Sequence, residues 1–154
     1  MESYEPERID ECRRRLINER RRIERKLTAI YLKHNWDHEK TFPLTRPLIR
    51  RREEIDAELL SIKAYCLQPG DHVSLCPYSD WHSYTIVSRT KFMLTARADR
   101  QTKFKVDAQD GELLSEPDPN GKTITLTWSK KKGWWCHGIY LVCLGKRNYK
   151  DPAF

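Results

Sequence analysis

Ile9, Leu16, Ile23 and Ile30 recur at every seventh position, Leu27 fills the adjacent seam, and Arg and Glu take most of the places between. A narrow apolar stripe with this period predicts a helix whose buried face is wide enough for a two-helix seam and little more. Ser3 is positioned to cap its start. Pro6 suits a first helical turn, where a missing N–H costs nothing. The spacing returns in Leu48, Ile55 and Ile62, joined by Leu59. This second helix is expected to open at Thr45 as N-cap, with Pro47 in its first turn. The link between them, Asn35 to Leu44, holds Trp36, His38, Phe42 and Pro43. A link this short makes the helices antiparallel neighbours. Two thin stripes bury little area, so the hairpin is expected to pack also on the segment that follows or on a second copy, as a homodimer.

The pattern changes at Gln68-Pro69-Gly70-Asp71. The chain before it has no glycine; all six glycines follow, among Thr, Val, Trp and Tyr. Thr123-Ile124-Thr125-Leu126-Thr127-Trp128 alternates strictly, placing Ile124, Leu126 and Trp128 on one face of a strand. Phe104 and Val106 alternate with Lys103 and Lys105 in the same way. Further strands are expected over His72–Cys76, Ser83–Ser88, Phe92–Arg97, Trp134–Ile139 and Tyr140–Cys143. Turns are expected at Asp110-Gly111, Asn120-Gly121 and Lys132-Gly133. The fold class is therefore α+β: an N-terminal antiparallel helical hairpin, coiled-coil-like, over 1–67, then a small antiparallel SH3-like β-barrel or roll over 68–154.

Charge narrows the function. The chain carries 29 Lys and Arg against 22 Asp and Glu, a formal net charge of +7, which favours anionic partners. No stretch approaches the roughly 20 apolar residues of a membrane span, and the acidic, polar start is unlike a signal peptide. The five cysteines are odd in number, scattered and without CxxC spacing, which points to a reducing cytoplasm and not to a disulfide framework. Cys136 and His137 are strand neighbours facing opposite sides, and His34 and His38 have no third ligand, so no metal or other cofactor is expected. Asp80, His82 and Cys143 lack the setting of a nucleophilic site. Glu53, Glu54, Asp56 and Glu58 read as solvated partners of Arg50, Arg51 and Arg52. No glycine-rich phosphate loop is present, and a non-enzymatic protein is expected.

The basic and aromatic positions carry more. With Ile9, Leu16 and Ile23 facing inward, Arg14, Arg21 and Arg25 project from the opposite side of the first helix, with Arg22 beside them. Guanidinium groups bind phosphate bidentately and stack on bases, so such a ridge suits a nucleic-acid backbone. The same helix holds Glu11, Glu19 and Glu24, and residues 1–66 are only +3 overall, which equally fits a solvated coiled-coil exterior. In the second segment the turn Lys130-Lys131-Lys132 precedes Trp134-Trp135. Adjacent tryptophans face opposite sides of a strand, so Trp135 is either an exposed stacking platform or core. Lys103 and Lys105 on one strand, and Lys146 and Arg147 near Tyr149 and Lys150, complete the basic set. Trp36 and Phe42 at the hairpin tip are the candidate protein-binding anchors.

Several stretches also carry a resemblance: Gly70-Asp71-His72-Val73, Asp80-Trp81-His82-Ser83-Tyr84, Leu94-Thr95-Ala96-Arg97-Ala98-Asp99, Glu116 to Thr123, Gly133-Trp134-Trp135, and Leu144 to Phe154. Together they resemble small proteins of unassigned activity encoded by bacteriophages and prophages. The resemblance covers most of 69–154 and none of the helices. It implies action inside a bacterial cell and transfers no functional residue. The expected function is binding of nucleic acid, DNA or RNA, or of a nucleoprotein, through the basic surface, with no membrane partner. Two alternatives stand beside it. One is an anti-CRISPR-like inhibitor of a host or defence nuclease acting through the hairpin; the other is a structural coiled-coil oligomer.

Overall fold

The computed structural model describes residues 6–78, 80–104 and 113–148. Ser3, Lys105, Val106, Asp110, Gly111, Tyr149 and Lys150 lie outside them. The chain divides into two compact units, Met1–Lys63 and Ala64–Phe154.

The first unit holds helices α1 (Pro6–Lys33) and α2 (His38–Tyr65, whose last two residues count with the second unit). Ile9, Leu16, Ile23 and Leu27 are buried on α1, and Ile55 and Ile62 on α2. Cross-helix ion pairs show the antiparallel course: Arg51 Nε reaches Glu19 at 2.8 Å, Arg52 reaches Glu24 at 3.1 Å, and Arg20 reaches Asp56 at 2.7 Å. The buried stripe of α2 extends two turns further than its apolar residues do. Thr41 and Thr45 are both 2% exposed, and continue the alternating three- and four-residue steps of Leu48, Ile55, Leu59 and Ile62 back toward the loop.

The start of α2 corrects the sequence reading. Thr45 is no N-cap: it lies inside the helix, and its hydroxyl donates to the Thr41 carbonyl at 3.0 Å. Asp37 is the cap, its Oδ1 accepting from the amides of Glu39 (3.1 Å) and Lys40 (3.3 Å). Phe42, Pro43 and Leu44 therefore belong to the helix and not to a link. Pro43 and Pro47 lie within α2 at exposed positions, so the carbonyls they leave without amide partners have water at hand.

The connection is only His34 to Asp37. The Trp36 amide donates to the Tyr31 carbonyl at 2.9 Å and the Asn35 amide to that of Leu32 at 3.3 Å. This pair of bonds is a Schellman motif with Asn35, at φ 49°, in the left-handed position that glycine usually takes. With α1 ending at Lys33 and α2 beginning at His38, His34 and His38 do not share a helix.

The second unit is an antiparallel sheet of β1 (His72–Leu75), β2 (His82–Arg89), β3 (Met93–Ala98), β6 (Thr123–Ser129), β7 (Trp134–His137), β8 (Tyr140–Leu141) and β9 (Cys143–Leu144). A separate hairpin pairs β4 (Arg100–Phe104) with β5 (Leu113–Glu116). The order of the large sheet is β8-β7-β6-β3-β2-β1-β9. Its two outermost strands are consecutive in the chain, separated by Val142 alone. One continuous segment thus pairs with β7 on one side and β1 on the other, which brings the sheet nearly to closure as a small barrel. Val73, Ile86, Leu94, Leu126, Trp135 and Val142 fill it, each at most 2% exposed. Burying each such side chain contributes about 2–3 kcal/mol.

Candidate nucleic-acid interface

The arginines at or beside the seam are engaged by carboxylates, while those away from it, Arg15, Arg46 and Arg50 among them, form no ion pair among the described residues. Arg13, Arg20 and Arg52 occupy the charged steps of the seam stripes, where carboxylates of the same or the facing helix come within reach. Arg13 pairs with Asp10, Arg20 with Asp56 and Glu24, and Arg52 with Glu24. Arg51, beside the seam, is held by Glu19, Glu54 and Glu58. Its hydrogen bonds to these carboxylates raise its pKa above the usual guanidinium value, and the bond to Arg51 lowers that of Glu19.

Arg14, Arg21, Arg22 and Arg25 behave differently. All four are exposed and form no ion pair among the described residues. At 100° per residue, Arg14, Arg21 and Arg25 lie roughly 120–160° around α1 from Ile9, on the side away from the seam. Among the α1 carboxylates with described side chains, Asp10 (about 100°) and Glu11 (about 200°) flank that side, and Asp10 is engaged by Arg13. The row of Arg14, Arg21 and Arg25 is exposed on one side of α1 and without an ion pair among the described residues. It spans about 16 Å of helix axis, comparable to five base-pair steps of a duplex.

In the second unit, Lys130, Lys131 and Lys132 are exposed in the β6–β7 turn, which Gly133 closes at φ 61° with its amide on the Ser129 carbonyl. The structure adds two residues that the sequence reading missed. Phe92, in the β2–β3 turn, has Lys130 Nζ 4.7 Å and Lys91 Nζ 5.5 Å from its ring centre. The Phe92 carbonyl accepts the Trp128 amide at 2.9 Å, fixing the two turns side by side. The cation–aromatic platform next to the lysine turn is therefore Phe92 with Lys91.

Trp135 is not that platform. It has no exposed surface, its Nε1 donates to the Ala64 carbonyl at 2.7 Å, and it packs with Tyr65 and Trp128. The barrel is small enough that an indole on its inner face fills much of the core, which withdraws Trp135 from any ligand. Its neighbour Trp134 is half-buried, with its N–H on the Val142 carbonyl.

Lys146 and Arg147 sit elsewhere. Lys146 Nζ donates to the Ser115 carbonyl, and the Arg147 guanidinium lies 4.9 Å from the Trp81 ring centre. Trp81 precedes β2 and Phe92 follows it, so these two basic groups lie at opposite ends of β2, on the order of 25 Å apart by the strand rise. They do not form one patch. Lys103 is in β4, and its side chain lies outside the described set. Trp36 and Phe42 are 64% and 52% exposed. Trp36 is in the hairpin loop, and Phe42 is in the second turn of α2 beneath the Arg46 guanidinium at 5.8 Å.

A polar cluster anchors the hairpin β4–β5 and the end of the chain to the barrel. Asp99 accepts from Ser83 Oγ at 2.5 Å and Thr85 Oγ1 at 2.6 Å, and Asn148 bridges the Ser83 amide (3.0 Å) and the Ser115 hydroxyl (2.7 Å). The His72 Nδ1 lies 3.2 Å from the Thr85 hydroxyl. Every member of the cluster has a protein partner, which is the arrangement of a structural network. Among the described residues no three His, Cys, Asp or Glu side chains converge as a metal site, and no helix is long and apolar enough to cross a membrane. No protein-family description, curated protein or solved structure matches the chain.

Proposed function

We propose that this protein is a non-enzymatic binder of nucleic acid or nucleoprotein, with the outer face of α1 as its principal contact. One observation carries the reading. In a hairpin where the seam arginines are paired with carboxylates, Arg14, Arg21, Arg22 and Arg25 are exposed on the outside and make no ion pair among the described residues. A guanidinium without an internal carboxylate partner keeps its fork of donors open for phosphate; this describes Arg14, Arg21 and Arg25 better than Arg22, whose charge already acts on the Glu19 carboxyl. The lysine turn with Phe92, and Arg147 on Trp81, supply separate secondary contacts. The resemblance of the barrel segment to phage-encoded proteins supports a setting inside a bacterial cell.

The test is the salt dependence of binding. Each phosphate neutralised releases counterions, so the logarithm of affinity falls linearly with the logarithm of salt concentration. Replacing Arg14, Arg21 and Arg25 together with Gln should reduce that slope by about 2 to 3 while far-ultraviolet circular dichroism stays helical. A slope that is flat in the parent protein, or the same in the triple variant, removes the reading. A second reading, an inhibitor of a defence nuclease acting through the hairpin, is favoured by the exposure of Trp36 and Phe42. A single protein recovered from the bacterial host after complete nuclease digestion, and lost with Trp36→Ala and Phe42→Ala, would establish it in place of the first.

A further inference from the structure

We propose that Trp36 stacks an unpaired nucleobase, so that the nucleic acid on the arginine ridge is single-stranded at the hairpin tip. This rests on the ridge reading above and names the class of strand that it binds. The case begins with the backbone. Trp36 is at φ 59°, immediately after Asn35 at φ 49°. The left-handed region costs a residue with a Cβ about 1–2 kcal/mol, a cost that glycine would avoid. The loop nonetheless fixes it: the Trp36 amide is bonded to the Tyr31 carbonyl at 2.9 Å.

The ring is fixed as well. It lies on Tyr31 with centroids 4.9 Å apart and planes within 4°, the apolar contact that accompanies a Schellman motif. Any modest apolar side chain would serve for that contact. The indole here remains 64% exposed, so with one face on Tyr31 its surface is otherwise presented outward, flat and oriented in advance. Base–aromatic stacking needs such a face and tolerates every base.

Position supplies the strand. Leu32 lies seven residues beyond Arg25 on the same line of α1 as Arg14 and Arg21, and is itself 61% exposed. Along the axis the row of cations runs toward the turn that carries Trp36, with about 10 Å of helix between Arg25 and Leu32; the indole itself rests on Tyr31, about 100° round the helix from Leu32, so a strand of a few nucleotides turns around the end of α1 to reach it. The carboxylate next in the chain, Asp37, is already engaged by the amides of Glu39 and Lys40 and by the Lys40 ammonium at 3.7 Å. Cations that hold phosphates, followed by an aromatic face at the end of the row, are the two components of a single-strand site. A duplex buries its base faces in its own stack and offers Trp36 none.

Full-length protein would be titrated with a single strand of about 12 nucleotides and with the duplex of the same sequence, at fixed ionic strength. The parent should prefer the single strand. Trp36→Ala should weaken single-strand binding about 5- to 100-fold and erase the preference, with an unchanged salt slope. Trp36→Leu keeps an apolar contact on Tyr31 but has no face for a base, so it should lose as much as Trp36→Ala; Trp36→Phe should retain most of the affinity. Equal affinity of the parent for strand and duplex, or full affinity in Trp36→Leu, overturns the proposal. In either case a salt slope that still depends on Arg14, Arg21 and Arg25 leaves the ridge reading standing, and a slope independent of them removes both.

Discussion

Arg89, at the end of β2, makes a prediction that tests how the second unit holds the last residues of α2. Its Nη1 donates to the carbonyls of Tyr65 (2.8 Å) and Leu67 (2.5 Å), and the guanidinium lies 5.3 Å from the Tyr65 ring centre and 5.7 Å from that of Trp135. A helix ends with carbonyls that have no amide partner and with the negative end of its dipole, so a cation there satisfies both. Replacing Arg89 with Met keeps the aliphatic stem against the rings and removes the charge and both bonds. A hydrogen bond to a charged group contributes about 1.5–3 kcal/mol. Sharing one nitrogen and partial exposure lower the pair to about 2–4 kcal/mol in total. For a unit of this size that is a fall in melting temperature on the order of 10–20 °C. Arg89→Lys, with a point charge in place of the fork, should recover less than half of the loss. Denaturant unfolding followed by tryptophan emission reads the result, since Trp128 and Trp135 are buried beside the site. A Met variant within about 0.5 kcal/mol of the parent, the ordinary scatter of surface substitutions, would refute the assignment.

Two further outcomes follow from the geometry. The fold holds the Glu19 carboxyl below its ordinary value of 4.5, first through the hydrogen bond from Arg51; such a group contributes its full stability above the ordinary pKa and loses it as pH falls through the depressed folded value. The helical signal should therefore become less resistant to denaturant between about pH 5 and 3, and Glu19→Gln should flatten that dependence; identical acid profiles would refute it. A Cβ built on Gly121 meets the Ala98 carbonyl oxygen at 2.2 Å, a backbone atom whose strand is paired on both sides. Gly121→Ala should therefore destabilise the barrel by about 1–3 kcal/mol in denaturant titration, and a neutral result would show that the β3–β6 connection shifts freely.

Much of this architecture is legible in the sequence because it depends on period. Seven-residue spacing located both seams, and two-residue alternation put Ile124, Leu126 and Trp128 on the inner face of β6. The start of α2 was not legible for a definite reason. Its seam continues through Thr41 and Thr45, whose hydroxyls are satisfied by backbone carbonyls one turn earlier, so buried positions carry a polar letter. Pro47 then imitated a first turn. The true signals, Asn35 for a left-handed closure and Asp37 for a cap, stood in plain view but competed with a stronger-looking pair. The choice between platform and core for Trp135 stayed open because alternation assigns opposite faces without saying which face is inner; the structure takes the core. The Phe92 platform needed a contact between turns almost 40 positions apart in the chain, which no local pattern encodes. The ridge was different: helical phase placed Arg14, Arg21 and Arg25 together, and the ion pairs of Arg13, Arg20, Arg51 and Arg52 show that the arginines at and beside the seam are the ones engaged.

The segment Tyr140–Leu144 has a consequence for recognition. Because the same few residues occupy both margins of the large sheet, a foreign peptide has nowhere along them to add itself as an extra strand without first displacing the protein's own chain. Backbone-led pairing, the least selective way in which β-rich proteins meet partners or one another, is thereby discouraged at that seam. Whatever this barrel engages there must be read by side chains, and strand-by-strand self-association through that margin is disfavoured.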